Sequence, residues 1–288
     1  MVTRVNEFLS PLILNYDEDV LPLTPNGNAT ERYLCLAYAR KAASMFPEES
    51  DLRKFWSENL GVSQDDIKDL PEGRPITDLI RAKTMKQGGV GYVKPDSGSF
   101  PKMAEMNEFV LLCGAIPTFT WLDGCSVGEQ SIEELVEVGR STGVAAFNII
   151  PDRNYTPGQS DQKLENLNQV IQLTKDLGLP LLGGTEMNSP GQKFVDDFSS
   201  PELAPHQSVF LQGSWILHAH STLQRYAGMG YLSDWAKNHF PDVSTKNEFY
   251  ASFGENFSPR GDDQLRDSLD SEMGPKEVID LISRVMVA

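Results

Sequence analysis

Residues 144–150 read VAAFNII, an unbroken run with a strongly apolar composition that indicates the class of fold. Its length and its β-branched and aromatic content predict a buried strand of a parallel sheet. Pro151 ends the run, and polar residues follow it at once. Upstream, Ser131 and Glu134 form a capping box that predicts the start of a helix, and Gly143 predicts its end.

Similar apolar runs recur along the chain at a spacing of roughly thirty residues, which is the size of a βαβ unit. They are residues 115–122, 179–185 and 208–217. Alternating strands and helices predict an α/β fold with parallel strands. No helix opens with Gly-x-Gly-x-x-Gly or a P-loop, which disfavours a doubly wound nucleotide-binding sheet. We therefore expect a partial or distorted (β/α) barrel.

Around this core the pattern predicts three regions. Residues 1–103 carry apolar side chains at helical spacing between loops and predict a helical N-terminal region. Residues 104–240 predict the barrel-like core that catalyses or binds. Residues 241–288 predict an acidic, turn-rich tail with a terminal amphipathic helix. The core has room for only about four or five βα units, so the barrel is expected to be incomplete.

The amino-acid composition restricts which binding partners and which cellular compartment we expect. The chain of 288 residues has 25 basic and 41 acidic side chains and a formal net charge of −16. Without a basic face, neither nucleic acid nor an anionic membrane is an expected partner. The three cysteines lack the spacing of a disulfide framework or a thiolate zinc site. No secretory signal or membrane span is visible, and we expect a cytoplasmic protein.

Polar side chains follow each predicted strand, at the end where parallel α/β folds gather their functional groups. Asp123, Asp152 and Glu186 are the candidate catalytic carboxylates. The two aspartates also suit turns, in which an Asp side chain bonds its own backbone. Glu186 follows a glycine pair at 183–184, and an exposed loop is the alternative there.

Four further residues are candidates for binding a small anionic substrate. Arg153 suits a bidentate contact with an anion, or an ion pair with a neighbouring acid. Lys94 is a second candidate for that anion, or an ordinary surface lysine. Trp121 offers a platform on which a sugar ring stacks, and Asn154 lies at the end of the second strand.

Two pairs of residues, each spaced two apart, suit a divalent metal. Glu186 and Asn188 point the same way on an extended segment and offer oxygen ligands to a hard cation or to a sugar hydroxyl. His218 and His220 share a face if their segment is extended, as metal ligation requires. If that segment is helical, the two imidazoles diverge and the pattern carries no metal.

The stretch from Thr77 to Phe240 resembles a bacterial branch related to the polymerase-and-histidinol-phosphatase (PHP) metallohydrolases. The residues that carry the resemblance lie at 91–95, 115–124, 148–154 and 184–197. The resemblance implies a distorted (β/α) barrel with a cluster of divalent metals, Zn, Mn or Fe, that hydrolyses phosphoesters. The family's opening His-x-His motif has no counterpart before His206 of this chain.

These observations lead to one expected function and two alternatives. We expect a metal-dependent hydrolase of the phosphoesterase type that acts on a small anionic substrate. One alternative is a metal-independent isomerase or lyase for a sugar or keto acid, with Glu186 as general base and Asp152 as partner acid. The other is a non-catalytic, degenerate barrel. An incomplete barrel exposes a sheet edge, which favours a homo-oligomer.

Overall fold

The structure is a computed structural model that describes residues 1–96, 98, 100–155, 161–187 and 193–286. The chain forms two compact units, Met1–Phe100 and Pro101–Ala288. Each unit has its own buried apolar clusters.

The first unit is helical. Leu34 and Tyr38 lie one turn apart on its longest helix and are buried, as helical spacing of apolar residues predicts. They share one core with Trp56 and Ile80. The helices are α1 (Val2–Phe8), α2 (Glu31–Met45), α3 (Glu49–Leu60) and α4 (Arg74–Thr84), with short helical turns at Tyr16–Val20, Leu21–Leu23, Pro25–Gly27 and Gln64–Asp66.

The second unit combines helices with a small sheet. Its strands are β1 (Thr118–Trp121), β2 (Ala146–Ile149) and β3 (Leu181–Gly183). Its helices are α5 (Met103–Leu112), α6 (Ile132–Ser141), α7 (Pro151–Tyr155), α8 (Asp161–Asp176), α9 (Gln207–Ala227), α10 (Asp234–His239), α11 (Val243–Asn256), α12 (Asp262–Ser268) and α13 (Pro275–Val285), with 3₁₀ turns at Ala204–His206 and Pro259–Gly261.

The three strands form one parallel sheet in the order β1-β2-β3. Phe147 of β2 lies opposite Phe119 of β1 and Leu181 of β3. Side chains that follow each other along a strand point to opposite faces. Phe147 and Ile149 therefore pack in a cluster with α6 and α8, whereas Ala146 packs in a cluster with α9, α11 and α13. Helices thus cover parts of both faces of the sheet.

The predicted (β/α) barrel is wrong, because the described residues form an open sheet of three strands among many helices. The expected fourth strand at 208–217 is part of the 21-residue helix α9. Phe210, Gly213, Ile216 and Leu223 are buried along one side of this helix. A ten-residue apolar window does not distinguish a strand from a helix, and the helical period becomes visible only over the longer element.

The C-terminal segment folds with the rest of the second unit. Phe253 of α11 and Leu281 of α13 share a core with Ile216 of α9. In the part of the chain that the structure describes, no helix has the length and apolar character that crossing a membrane requires. The cytoplasmic location stays a prediction.

Candidate functional site

The residues that follow β1, β2 and β3 meet at one edge of the sheet, because parallel strands end on the same side. We call it the carboxyl edge. Hydrogen bonds join the strand ends across it, from Asn154 to the carbonyl of Leu122 and from Arg153 to Glu186. The structure therefore brings together the candidate residues that follow the three strands, namely Asp123, Asp152, Arg153, Asn154 and Glu186.

Arg153 and Glu186 form an ion pair across the carboxyl edge. Nε and Nη2 of Arg153 both donate to Oε2 of Glu186, at 2.7 and 2.6 Å. The two side chains are 40% and 27% exposed, so solvent and small solutes reach the pair. Of the two roles left open for Arg153, the structure shows the ion pair with an acid, and that acid is Glu186, itself a candidate site residue.

Lys163 links the ends of the first two strands. Its Nζ lies 3.0 Å from Oδ2 of Asp123 and donates to the carbonyl of Arg153 at 3.4 Å. Asp123 also accepts a hydrogen bond from the N–H of Cys125, as the predicted turn requires. Partial burial by itself raises the pKa of Asp123, but the bonds from Lys163 and Cys125 outweigh it and lower that pKa. Asp123 is therefore a charged turn residue held by Lys163.

Asn154 is fully buried and ties β1 to β2. Its Nδ2 donates to the carbonyls of Leu122 and Ile150, at 2.6 and 3.1 Å. Its Oδ1 is buried and has no hydrogen-bond partner among the described residues. The predicted role in substrate binding stays untested, and the contacts observed are those of a residue that positions two strand ends.

Asp196 is a member of the carboxyl edge that the apolar runs and strand ends of the sequence do not single out. It is 7% exposed and accepts a hydrogen bond from the hydroxyl of Thr185 at 3.1 Å. Burial raises the pKa of Asp196, and the nearby charge of Asp152 raises it further, although bonds from Thr185 and from the backbone of Asp152 oppose the shift. A carboxyl group with a raised pKa suits proton transfer. No local pattern in the sequence marks this residue, because its partners come from other segments.

A cleft of about 390 Å³ opens at the carboxyl end of β1, between the start of α6 and the first three turns of α8. We call it the Trp121 cleft. Trp121 is 1% exposed and forms the floor, so its ring does not offer the predicted open platform. Carboxamide side chains contribute much of the lining, namely Gln130, Gln162, Asn166 and Gln169.

The sequence holds a signal for this cleft. Gln162, Asn166 and Gln169 follow one another at helical spacing, which places three carboxamides on one face of α8. They belong to the helix that follows β2 and not to the end of a strand, so the strand-end pattern does not mark them.

The two histidines of the predicted metal pair lie on α9, not on a strand. Residues two apart on a helix point in nearly opposite directions, so the imidazoles diverge. His220 is buried and its Nδ1 accepts a hydrogen bond from the N–H of Tyr231 at 3.0 Å. His218 stacks on Phe257. Neither contact is that of a metal ligand.

The remaining predicted ligands do not complete a metal centre either. Glu186 is engaged by Arg153, and Asn188 lies outside the described residues. Among the residues that are described, no group of three or more His, Cys, Asp and Glu is placed to hold a metal ion. The divalent metal and the hydrolase activity stay predictions. Lys94 belongs to the first unit, where its side chain is exposed.

Comparisons with known proteins give no relative from which a function could be transferred. No family model, no curated protein and no solved structure matches the chain. The resemblance to the PHP metallohydrolases therefore stays a prediction, and the site itself is the basis for a function.

Proposed function

We propose that residues 101–288 bind a small anionic molecule at the carboxyl edge of the sheet, with Arg153 as the group that holds the anion. The observation that carries this proposal is the accessible ion pair of Arg153 with Glu186. The guanidinium directs two N–H groups at one carboxylate oxygen. A carboxylate or phosphate of a ligand presents the same acceptor, so it competes with Glu186 for Arg153.

Asp196 favours a second candidate function at the same edge, which is proton transfer to or from the bound anion. Thr185, which holds Asp196, immediately precedes Glu186 in the chain. Asp152, whose charge raises the pKa of Asp196, immediately precedes Arg153 of the anion-binding pair. We infer that Asp196 serves as general acid or base for an anion bound at this edge, the role that a metal-independent isomerase or lyase requires.

Calorimetric titration with inorganic phosphate and with malonate tests the anion site. We expect Arg153→Gln to weaken binding at least about tenfold, since a charge-assisted pair is lost. We expect Glu186→Gln to strengthen binding, because the internal competitor loses its charge. Arg140→Gln, a change of an exposed arginine in the last turn of α6, is the matched control and should bind like the wild type. Equal binding by the Arg153→Gln variant overturns the proposal.

The same titration in two buffers of different ionisation enthalpy tests proton transfer. An anion that binds near Asp196 raises the pKa of its carboxyl group, so binding takes up protons. We expect that uptake in the wild type and its loss in Asp196→Asn, with anion affinity largely kept. Unchanged proton uptake in the variant removes Asp196 from the proposed role while leaving the anion site intact.

A further inference from the structure

We propose that the Trp121 cleft binds a neutral polyhydroxylated molecule the size of one sugar ring. This site differs from the anion site in its residues and in its chemistry. The cleft is lined by side chains of α6, α8 and the loop after β1, whereas the anion site uses Arg153 and Glu186, which follow β2 and β3.

The residues that line the cleft disfavour an anionic ligand and favour a ligand rich in hydroxyl groups. Gln130, Gln162, Asn166 and Gln169 each carry an amide that both donates and accepts hydrogen bonds, and so matches a hydroxyl group, which does the same. No Lys, Arg or His is among the described residues that line the cleft. An anion would find no cation there and would meet the carboxylate of Glu129.

Several of these groups are held in place before a ligand arrives. Asn166 donates from Nδ2 to the carbonyl of Asp123 at 3.0 Å, and its Oδ1 accepts from Nε2 of Gln162 at 3.0 Å. Glu129 accepts from the N–H of Leu122 at 2.7 Å and from the hydroxyl of Ser126 at 3.0 Å. A carboxamide NH₂ has two N–H groups. Asn166 and Gln162 each use one of them in these hydrogen bonds and keep the other for a ligand. Fixed polar groups lower the entropy that binding costs.

The floor of the cleft is apolar. Trp121 forms it, and Ile132 and Val170 beside it offer apolar contact to the C–H groups of a ring. The volume of about 390 Å³ lies at the lower end of the range for small-molecule sites, which fits a single ring.

The test uses the full chain and four neutral probes, which are glucose, galactose, mannose and myo-inositol. Saturation-transfer NMR detects binding, and calorimetry measures its strength. We expect at least one probe to bind and the double variant Gln162→Ala, Gln169→Ala to weaken that binding at least about tenfold. Both side chains are exposed, so we expect the fold to persist, and the thermal unfolding midpoint checks it.

Two control variants assign the binding to this cleft. Gln172→Ala removes an exposed carboxamide of the same helix that bonds Asp176 and does not line the cleft, and it should leave sugar binding unchanged. Arg153→Gln should also leave sugar binding unchanged, so failure of the anion site and failure of this one are distinguishable. Absence of transfer from all four probes, or wild-type affinity in the double variant, overturns the proposal.

Discussion

On the inner side of α9, His220 connects the helix to two loops. Its Nδ1 accepts the hydrogen bond of the Tyr231 N–H, and the backbone of Gly114 bonds the ring as well. We expect His220→Ala to lower the free energy of unfolding by about 1–3 kcal/mol, because a buried N–H loses its acceptor. His218→Ala removes only a partly buried stacking contact and should cost less. Urea unfolding followed by circular dichroism measures both, and an equal loss in the two variants contradicts this role.

The same histidine predicts a dependence of stability on pH. Burial lowers the pKa of His220 below its ordinary value of 6.5. As the pH falls, the imidazole of the unfolded chain therefore binds a proton before that of the folded chain. The contribution of the neutral ring to the free energy of unfolding is complete above pH 6.5 and is lost as the pH falls through the folded-state pKa. We expect the stability difference between the wild type and His220→Ala to shrink on acidification. A difference that stays constant from neutral pH to about pH 5 contradicts the prediction.

Asp196 predicts a dependence of stability on pH with the opposite sign. Its pKa is raised above the ordinary 3.8 in the folded chain, chiefly by burial. The folded state then holds the proton longer than the unfolded state, so stability is lost as the pH rises from 3.8 through the raised folded-state value. We expect Asp196→Asn, which cannot ionise, to flatten this part of the curve of unfolding temperature against pH. A slope identical to that of the wild type would exclude a raised pKa.

For single residues, the sequence locates the candidate site residues but not the side chains that they contact. That Asp123, Asp152, Arg153 and Glu186 follow strands can be read from the apolar runs before them. That Arg153 meets Glu186 cannot, because the two residues are 33 positions apart and join only when β2 and β3 pair. Asp196 escapes notice for the same reason.

Among the secondary-structure elements, α9 packs closely against β3 of the sheet. A Cβ atom on Gly213 would lie 2.0 Å from the carbonyl oxygen of Leu181 in β3. We expect Gly213→Ala to destabilise the second unit by roughly 1–3 kcal/mol or more, because backbone yields less readily than a side-chain tip. The intrinsic helix preference of alanine works in the other direction, so a loss of stability reports packing.

Gly128→Ala is the matched control for that substitution, because a Cβ atom there meets nothing within 4 Å. Urea unfolding of the two variants gives the comparison. If Gly213→Ala is as stable as Gly128→Ala, the helix does not pack on β3 as described.

Most helices and the three strands can be read from local periodicity. The first strand, β1, lies inside the run at 115–122, and α6 begins at Ile132, directly after the predicted capping residue Ser131. Two elements are misread. The helix α11 lies in the segment expected to be turn-rich, and α9 has an apolar window at 208–217 with the composition of a strand. The neighbours of α9 decide that this segment is a helix. Gly213 packs against Leu181 of β3, and the backbone of Trp215 lies against Gly254 of α11.

For the whole molecule, the two units predict independent folding. The core of the first unit is built from residues 5–85, and it includes the fully buried Ile76 and Ile80 of α4. A domain with its own core can fold alone. We expect fragments 1–100 and 101–288, expressed separately, each to unfold cooperatively on heating.

Fragment 1–72 lacks α4 and should fail to fold, which makes it the control. Calorimetry or circular dichroism measures all three fragments. A gradual, non-cooperative transition in fragment 1–100 or 101–288 would contradict the prediction.

A homo-oligomer remains a prediction, and the open sheet is the feature that favours it. β1 pairs with β2, and among the described residues no strand pairs with its other side. An unpaired edge favours pairing with a second chain, and a lysine on the edge opposes it. We expect the apparent mass in light scattering to rise with concentration for the wild type and not for Thr120→Lys. A wild type that stays monomeric at all concentrations contradicts the prediction.

Local patterns in the chain locate the three strands, indicate that they are parallel and show that polar residues follow them, but they misassign the start of α9 as a strand. Periodicity and strand-end chemistry are properties of near neighbours, so the chain displays them directly. Tertiary packing sets the rest, namely that the sheet stays open, that Glu186 pairs with Arg153, and that carboxamides of α8 line a cleft together with the buried Trp121. Each of these depends on which surfaces far apart in the chain come to cover one another, and no local pattern records that.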